Sequence, residues 1–517
     1  MLRRGRKKKK EKKGEVKPEE TRPKVPTKII EVRSVYPPYA HISIAKDEQG
    51  RYLYDVIEPS LDEEERENIA RLKEILAEEL DISVGELRDR KEREEFLRDK
   101  IERAIKRYKI KLSPEEADKL TYYMIRDFVY LGRIEYLMRD HMIEDISCDG
   151  PKIPLYVWHR QYESMPTNIA YESADELDKF VVRLSYLAGR HVSVAQPIVD
   201  GTLPDGSRLN ATFGSEVTKG GSSFTIRKFT ADPLTIIDLI TFNTISPEIG
   251  AYLWFLVENR ASVLISGGVA SGKTTFLNSI AMFIRPELKL VTIEDTAELN
   301  IPHENIIQSL TRTGFGAAGE ASEISLFDLL KNALRQRPDY IIVGEIRGTE
   351  AYTLFQAVAT GHGGFSTIHG DSVQSVIYRL ETEPMNIPRN LITSIEALVI
   401  LGKAKVGDRS VRRMMTCTEI LGIDPRTREL LTNTIYSWQP ENDSFIHEAR
   451  STFIKNILVS KGLTEEQVME DLEKRAKILK WMAAQEIRRY LDVAKVIREF
   501  YIEPERSLTK ALYGLEA

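Results

Sequence analysis

The chain has 517 residues, with 74 Lys+Arg against 79 Asp+Glu and a formal net charge of -5. That length suggests about three or four domains, and an acidic balance argues against a general nucleic-acid binder. Two cysteines, Cys148 and Cys417, stand far apart with no CxxC, which speaks against a disulfide scaffold or a cysteine zinc module and fits a reducing cytoplasm. No apolar run reaches about 18 residues, so neither a transmembrane helix nor a secretory signal is expected.

Residues 1–28 form a low-complexity tail opened by the basic run Arg3-Arg4-Gly5-Arg6-Lys7-Lys8-Lys9-Lys10. It carries too little apolar surface to offset its ordering entropy and is expected to be disordered. It reads as a solubilising tail, as an electrostatic tether to anionic lipid or an acidic partner, or as a nucleic-acid contact. Residues 29–140 read as a mainly helical subdomain behind a short β element. Its helix starts are signalled by Ser60-Leu61-Asp62-Glu63 and Ser113-Pro114-Glu115-Glu116, both of capping-box form. Residues 141–240 read as an α+β domain. It has strands at Pro154–His159, around Arg208 and at Ser223–Phe229, and a helix over Ala174–Arg190.

From 241 onward strands and helices alternate, which predicts an α/β domain with a mostly parallel sheet. The predicted strands are Ser262–Ser266, Leu288–Ile293, Tyr340–Val343, Gly364–Ile368 and Ala397–Leu401. Past Lys405 the alternation stops. Added strands are expected at Arg413–Ile420 and Leu430–Trp438, then helices from the capping box Thr464-Glu465-Glu466-Gln467 to about Tyr501.

The first strand leads into Gly267-Gly268-Val269-Ala270-Ser271-Gly272-Lys273-Thr274-Thr275, the P-loop pattern, with a helix after it. Strand, glycine loop and helix in that order place backbone N–H groups and a helix N-terminus around phosphate oxygens. Lys273 is expected to reach the β- and γ-phosphates and Thr274 to hold Mg²⁺, which makes ATP with Mg²⁺ the expected ligand pair. The apolar run Tyr340-Ile341-Ile342-Val343 ends in Gly344-Glu345, a Walker B arrangement. Glu345 is expected to activate the attacking water or to hold the metal's water shell. A second strand ends in Glu294, Asp295 and Glu298, three acids in five residues with no local Lys or Arg. Which of the three acts is not readable from spacing. The stretch Thr360–Ser372 is glycine-rich and carries His362 and His369, the latter at the place of a γ-phosphate sensor. Arg208 and Arg227 lie on strands of the preceding domain, where spacing alone favours surface ion pairs.

The P-loop, the box from Thr292 to Glu298, the strand ending in Glu345 and the histidine box occur in the order seen in the ATPases of type II and type IV secretion, type IV pili and the archaeal flagellum. Between Ile143 and His369 the chain resembles that family. The resemblance implies a RecA-like core preceded by an α+β, PAS-like domain, with ATP bound between the two. It implies a homohexameric ring at the cytoplasmic face of a membrane, working on a polytopic inner-membrane platform protein. It raises Arg208 and Arg227 to candidate phosphate contacts. Thr296 stands where bacterial pilus motors usually have Pro and the four-cysteine zinc insertion is absent, which points to the archaeal branch and to assembly or secretion over retraction. The expected function is an ATP-driven motor for secretion or filament assembly with no nucleic-acid partner. A RecA-like nucleic-acid translocase and a nucleotide-gated scaffold are the alternatives.

Overall fold

The computed structural model describes residues 28–79, 90–110, 112–229, 232–312, 324–407 and 409–513. The basic tail, residues 1–27, lies outside the described residues. Contacts divide the chain into two units, one ending at Lys228 and one beginning at Phe229.

The first unit starts with an antiparallel meander of β1 (Lys28–Tyr36), β2 (Ala40–Lys46) and β3 (Tyr52–Ile57). Helices α1 (Glu63–Glu79), α2 (Arg90–Arg107), α3 (Pro114–Phe128) and α4 (Glu135–Arg139) follow. The signal at Ser60 is displaced by two residues. Asp62 and Glu65 cap α1 reciprocally, each side chain accepting the other's backbone N–H at 2.8–2.9 Å. Ser113 and Glu116 form the capping box of α3 with Pro114 in its first turn, as the sequence predicts. Next come β4 (Ile143–Cys148), β5 (Tyr156–His159), β6 (Glu163–Pro166), α5 (Ala174–Leu187), β7 (Ile198–Thr202), β8 (Arg208–Thr212) and β9 (Ser223–Arg227). These six strands make one antiparallel sheet in the order β6-β5-β4-β9-β8-β7. One hydrophobic cluster joins Ile42 and Ile44, Leu72, Leu120 and Met124 to Ile146, Val157, Leu184 and Phe224. The helical region and the α+β region therefore share a single core, where the sequence suggests two bodies.

The second unit opens with α6 (Ile236–Thr241), whose Ile236, Ile237 and Leu239 are buried in this unit's own core, so the break falls before residue 229 and not at 240. Then follow α7 (Pro247–Glu258), β10 (Val263–Gly267), α8 (Lys273–Ala281), β11 (Leu290–Glu294), β12 (Ile306–Leu310), α9 (Leu326–Leu334), β13 (Tyr340–Val343), α10 (Glu350–Ala359), β14 (Gly363–His369), α11 (Val373–Glu381), α12 (Arg389–Ile392) and β15 (Ala397–Val406). The sheet order is β12-β11-β13-β14-β10-β15, parallel throughout, a RecA-like α/β arrangement with the P-loop strand flanked by β14 and β15. Strand residues alternate between two cores. Val263 and Ile265 face α7, α8 and the C-terminal helices, while Leu264 faces α9, α10 and α11. Burial on both faces explains the near-continuous apolar runs.

Beyond β15 the sheet turns antiparallel through β16 (Arg409–Ile423), β17 (Leu430–Gln439) and β18 (Ser444–His447). Helices α13 (Thr452–Lys461), α14 (Glu465–Ala484), α15 (Tyr490–Ile502) and α16 (Pro504–Tyr513) complete the unit. Thr464 and Gln467 cap α14 as the sequence predicts.

Candidate functional site

Parallel strands deliver their following residues to one edge of the sheet, and the predicted site residues of the second unit follow that rule. Gly267 ends β10, Glu294 ends β11, Glu345 follows β13 and His369 ends β14. The phosphate loop is shaped by exclusion. A Cβ on Gly267 would stand 2.4 Å from Ser271 Oγ and 2.5 Å from the Leu401 carbonyl, so only glycine fits. Gly272 takes φ +91° as N-cap of α8, leaving the first N–H groups of Lys273, Thr274 and Thr275 without a side-chain cap. Gly268, Val269 and Ala270 are exposed at the rim, and Ser271 is buried beneath them.

Lys273 lies folded against its own loop, donating to the carbonyls of Gly267 and Gly268 at 3.1 Å each. Its third contact is to His369 Nδ1 at 3.2 Å, and His369 Nε2 lies 3.0 Å from Glu345 Oε1. An ammonium can only donate, so Nδ1 is the acceptor and Nε2 carries the proton that points at Glu345. Three motifs distant in sequence thus meet as one chain, Lys273–His369–Glu345. Burial pulls the Lys273 pKa down, and the Glu345 carboxylate opposes that pull.

The three acids after β11 separate. Glu294 is 4% exposed and its Oε1 accepts the backbone N–H groups of Glu298 and Leu299 at 3.0 Å each. Burial pushes its carboxyl up to about 7, against those two hydrogen bonds. Gly344 keeps the close passage open, since a Cβ there would sit 3.2 Å from Glu294 Cγ. Asp295 is exposed and pairs with Arg347 at 2.6 Å, so the acidic turn does have a cationic partner, brought from another loop. Glu298 is exposed and adds to the negative field at Lys273.

In the first unit, Arg208 and Arg227 stand directly opposite each other on β8 and β9. Each is exposed and salt-bridged, Arg208 to Asp200 at 3.0 Å and Arg227 to Asp145 at 3.2 Å.

A model of the family described as "Type II/IV secretion system protein" matches residues 131–475. This chain belongs to that family. It is 41% identical over 401 residues to MJ0900 of Methanocaldococcus jannaschii, a match spanning 76% of this chain and 71% of the relative. It is 37% identical over 195 residues to the probable conjugal transfer protein TrbB of Sinorhizobium fredii, spanning 37% of this chain and 57% of that one. Among solved structures, the ATPase DotB of Legionella pneumophila is similar at a TM-score of 0.40 and 18% identity, over 74% of this chain and 94% of that one.

In this secretion-family chain two site residues escape the sequence reading. Arg347 has a faint signal, standing two residues past Glu345 in the same loop. Arg379 has none: it lies on α11, ten positions beyond His369, and its Nη1 donates to the His369 carbonyl at 2.8 Å. Ser266 Oγ donates to the Gly370 carbonyl and Thr367 Oγ1 to the Gly344 carbonyl, both at 2.8 Å, tying the histidine and Walker B loops to the sheet. His362, by contrast, is used structurally, with Nδ1 3.0 Å from the Ala357 carbonyl at the end of α10. Among the described residues no helix is long and apolar enough to cross a membrane.

Proposed function

We propose that this protein is an ATP hydrolase, the motor of a secretion or filament-assembly machine, acting as a homohexamer against a polytopic membrane protein. The observation that carries this reading is the Lys273–His369–Glu345 chain at the mouth of the phosphate loop. In it the residue types needed for phosphate binding, γ-phosphate sensing and water activation already touch. The loop N–H groups from Gly267 to Thr275 and the N-terminus of α8 take the polyphosphate. Lys273 exchanges its two loop carbonyls for phosphate oxygens, a stronger charge-assisted contact. His369 then reports to Glu345 whether a γ-phosphate is present. Glu345 orients or deprotonates the attacking water, with Glu294, Asp295 and Glu298 as the neighbouring acids.

The hydroxyl of Thr274 and the carboxylate of Glu345 are hard oxygen donors of the kind Mg²⁺ prefers, and Mg²⁺ needs few protein ligands because nucleotide and water supply the rest. When bound it would neutralise charge on the β- and γ-phosphates. Arg208 and Arg227, two guanidinium groups side by side on an exposed strand face, are suited to contact phosphate oxygens. Membership of the secretion family supports the membrane-associated ring. The similarity to MJ0900 of Methanocaldococcus jannaschii supports an archaeal lineage. The archaellum-like or pilus-like filament rests on the order of the motifs from the phosphate loop to the histidine box.

Steady-state ATP hydrolysis by the full chain and by Glu345→Gln tests the reading, each alone, with anionic liposomes and with single-stranded DNA. The expected result is turnover that rises with lipid, ignores DNA and falls by about 10²–10³-fold in the variant while ATP binding persists. Turnover driven by DNA would overturn the motor reading in favour of a translocase. ATP bound without turnover would leave a scaffold.

A further inference from the structure

The antiparallel hairpin made by β15 and β16 passes beside the phosphate loop. β15 leaves the buried sheet at Leu401, the residue aligned with Gly267 in the parallel ladder. Its last residues, Gly402–Val406, continue past that edge and pair with β16, Lys403 against Arg412 and Lys405 against Ser410. Residues directly opposite in an antiparallel ladder share a face, as do residues two apart along a strand. Lys403, Lys405 and Arg412 therefore line one face of the hairpin.

That face is turned toward the loop. Arg412 Nε donates to the Ala270 carbonyl at 3.0 Å, and Arg412 Cδ lies 3.6 Å from the place a Cβ would take on Gly272. The neighbouring Arg413 points the other way. It is 4% exposed and fully engaged, with two bonds to the Asp443 carboxylate at 2.7 and 2.8 Å and one to the Phe242 carbonyl. The strand alternation thus sorts two adjacent arginines, one into the core and one onto the phosphate loop. Among the described residues, none of Lys403, Lys405 and Arg412 is paired with a carboxylate. Like charges opposite each other in a ladder destabilise it, so Lys403 facing Arg412 calls for an anion between or beside them.

We propose that this hairpin is a second wall of the nucleotide site, and that Arg412 binds the polyphosphate of the nucleotide held by the phosphate loop. Lys403 and Lys405 add longer-range attraction. The proposal rests on the reading of Gly267–Thr275 as the nucleotide site. Through Ala270, Arg412 also fixes the outer curve of the loop, and through its remaining N–H groups it offers a planar fork to phosphate oxygens. The ligand class is a nucleoside di- or triphosphate, recognised by its phosphates and not by its base.

Equilibrium displacement of a fluorescent ADP from the full chain tests this, with ATP, ADP and inorganic pyrophosphate as competitors. Arg412→Gln is expected to weaken all three by about tenfold, the worth of one charge-assisted hydrogen bond. Arg412→Lys should recover part of that loss. The double variant Lys403→Gln, Lys405→Gln should lose less affinity and flatten its salt dependence. Arg412 is only half-buried, so circular dichroism and melting without nucleotide should match the parent chain. Wild-type affinity in Arg412→Gln, beside lost affinity in Lys273→Ala, would overturn the hairpin's role and leave the phosphate-loop reading intact. A loss seen with ATP and ADP but not with pyrophosphate would also overturn it, assigning Arg412 to the nucleoside. Unchanged binding in Lys273→Ala would bring down the site reading and the inference together.

Discussion

Asp127 in the first unit, with 17% of its side chain exposed, and Glu294 in the second, 4% exposed, are both carboxyls largely withdrawn from water, and their acidities move in opposite directions. Burial raises the pKa of both. At Asp127 the guanidinium of Arg126, 2.7 Å away, and the ammonium of Lys73 more than offset it, and the pKa falls below the ordinary value. Arg126 is itself shared with Glu58 at 2.7 Å and packed over the Tyr123 ring. At Glu294 the hydrogen-bond donors are neutral backbone N–H groups and the nearby charge is the Glu298 carboxylate, so burial wins and the pKa rises to about 7. Glu396 repeats the second pattern, accepting the Ser262 N–H at 2.7 Å with its pKa also raised to about 7 by burial. Depth of burial sets the size of the penalty, and the partner sets the sign. The first unit's buried acid Asp127 forms a structural pair, as Asp443 does with Arg413 in the second. The second unit also keeps two carboxyls, without a cationic partner among the described residues, poised near neutrality, and one of them, Glu294, ends β11 at the sheet edge that carries Gly267 and His369.

The largest expected effect is on the paired cluster. Arg126→Ala leaves Asp127 with Lys73 and the neighbouring Arg183 and leaves Glu58 with the Tyr122 hydroxyl, and such a broken buried pair costs about 3–5 kcal/mol. Urea unfolding of the full chain should show that loss, and hydrogen exchange should place it in α1 and α3. ATP affinity should be unchanged. A loss under about 1 kcal/mol would mean the cluster behaves as a surface pair, and the contrast with Glu294 would disappear.

The second effect depends on pH. Glu294 and Glu396 have folded pKa values raised from 4.5 to about 7, so the native state holds on to protons that the unfolded chain releases. Their contribution to stability is complete below pH 4.5 and is lost as pH rises through about 7. Glu294→Gln removes one of the two titrations. It should gain roughly 2 kcal/mol relative to the parent between pH 5 and pH 8. Urea midpoints at the two pH values would show it. A difference that is the same at both would mean that Glu294 keeps an ordinary acidity.

How far these two carboxyls could be foreseen differs. The parallel strands were readable because burial on both faces leaves uninterrupted apolar runs such as Tyr340–Val343. Strand β12, with the half-exposed sequence Ile306-Ile307-Gln308-Ser309-Leu310, gave no such run and escaped. The meeting of the P-loop lysine, Glu345 and His369 could be anticipated because each stands in a short local pattern at or just beyond the end of a parallel strand. The fates of Glu294, Asp295 and Glu298 were not. They are decided by Arg347, which is 52 positions from Asp295, and by which backbone N–H groups happen to face inward. The Arg126 cluster was silent for the same reason, since Glu58 lies 68 residues away and no local spacing encodes the pair. The merging of the first unit's two regions into one core is likewise a long-range fact, carried by Ile44 and Leu72 meeting residues such as Ile146.

The smallest stability effect is expected where charge is exposed and paired. Arg208 and Asp200 keep 44% and 50% of their side-chain surface in water, so their ion pair is worth under about 1 kcal/mol. Arg208 also faces Arg227 across the ladder, and deleting one of two like charges returns part of that small sum. Arg208→Ala should therefore melt within a degree or two of the parent, in contrast to Arg126→Ala in the same unit. Its effect should appear in turnover, because a guanidinium that stabilises phosphate charge is missed only while ATP is being cleaved. Asp200→Ala is the matched control: it frees Arg208 from its partner and should leave turnover intact. Equal turnover in both variants and the parent would reduce Arg208 to a surface charge.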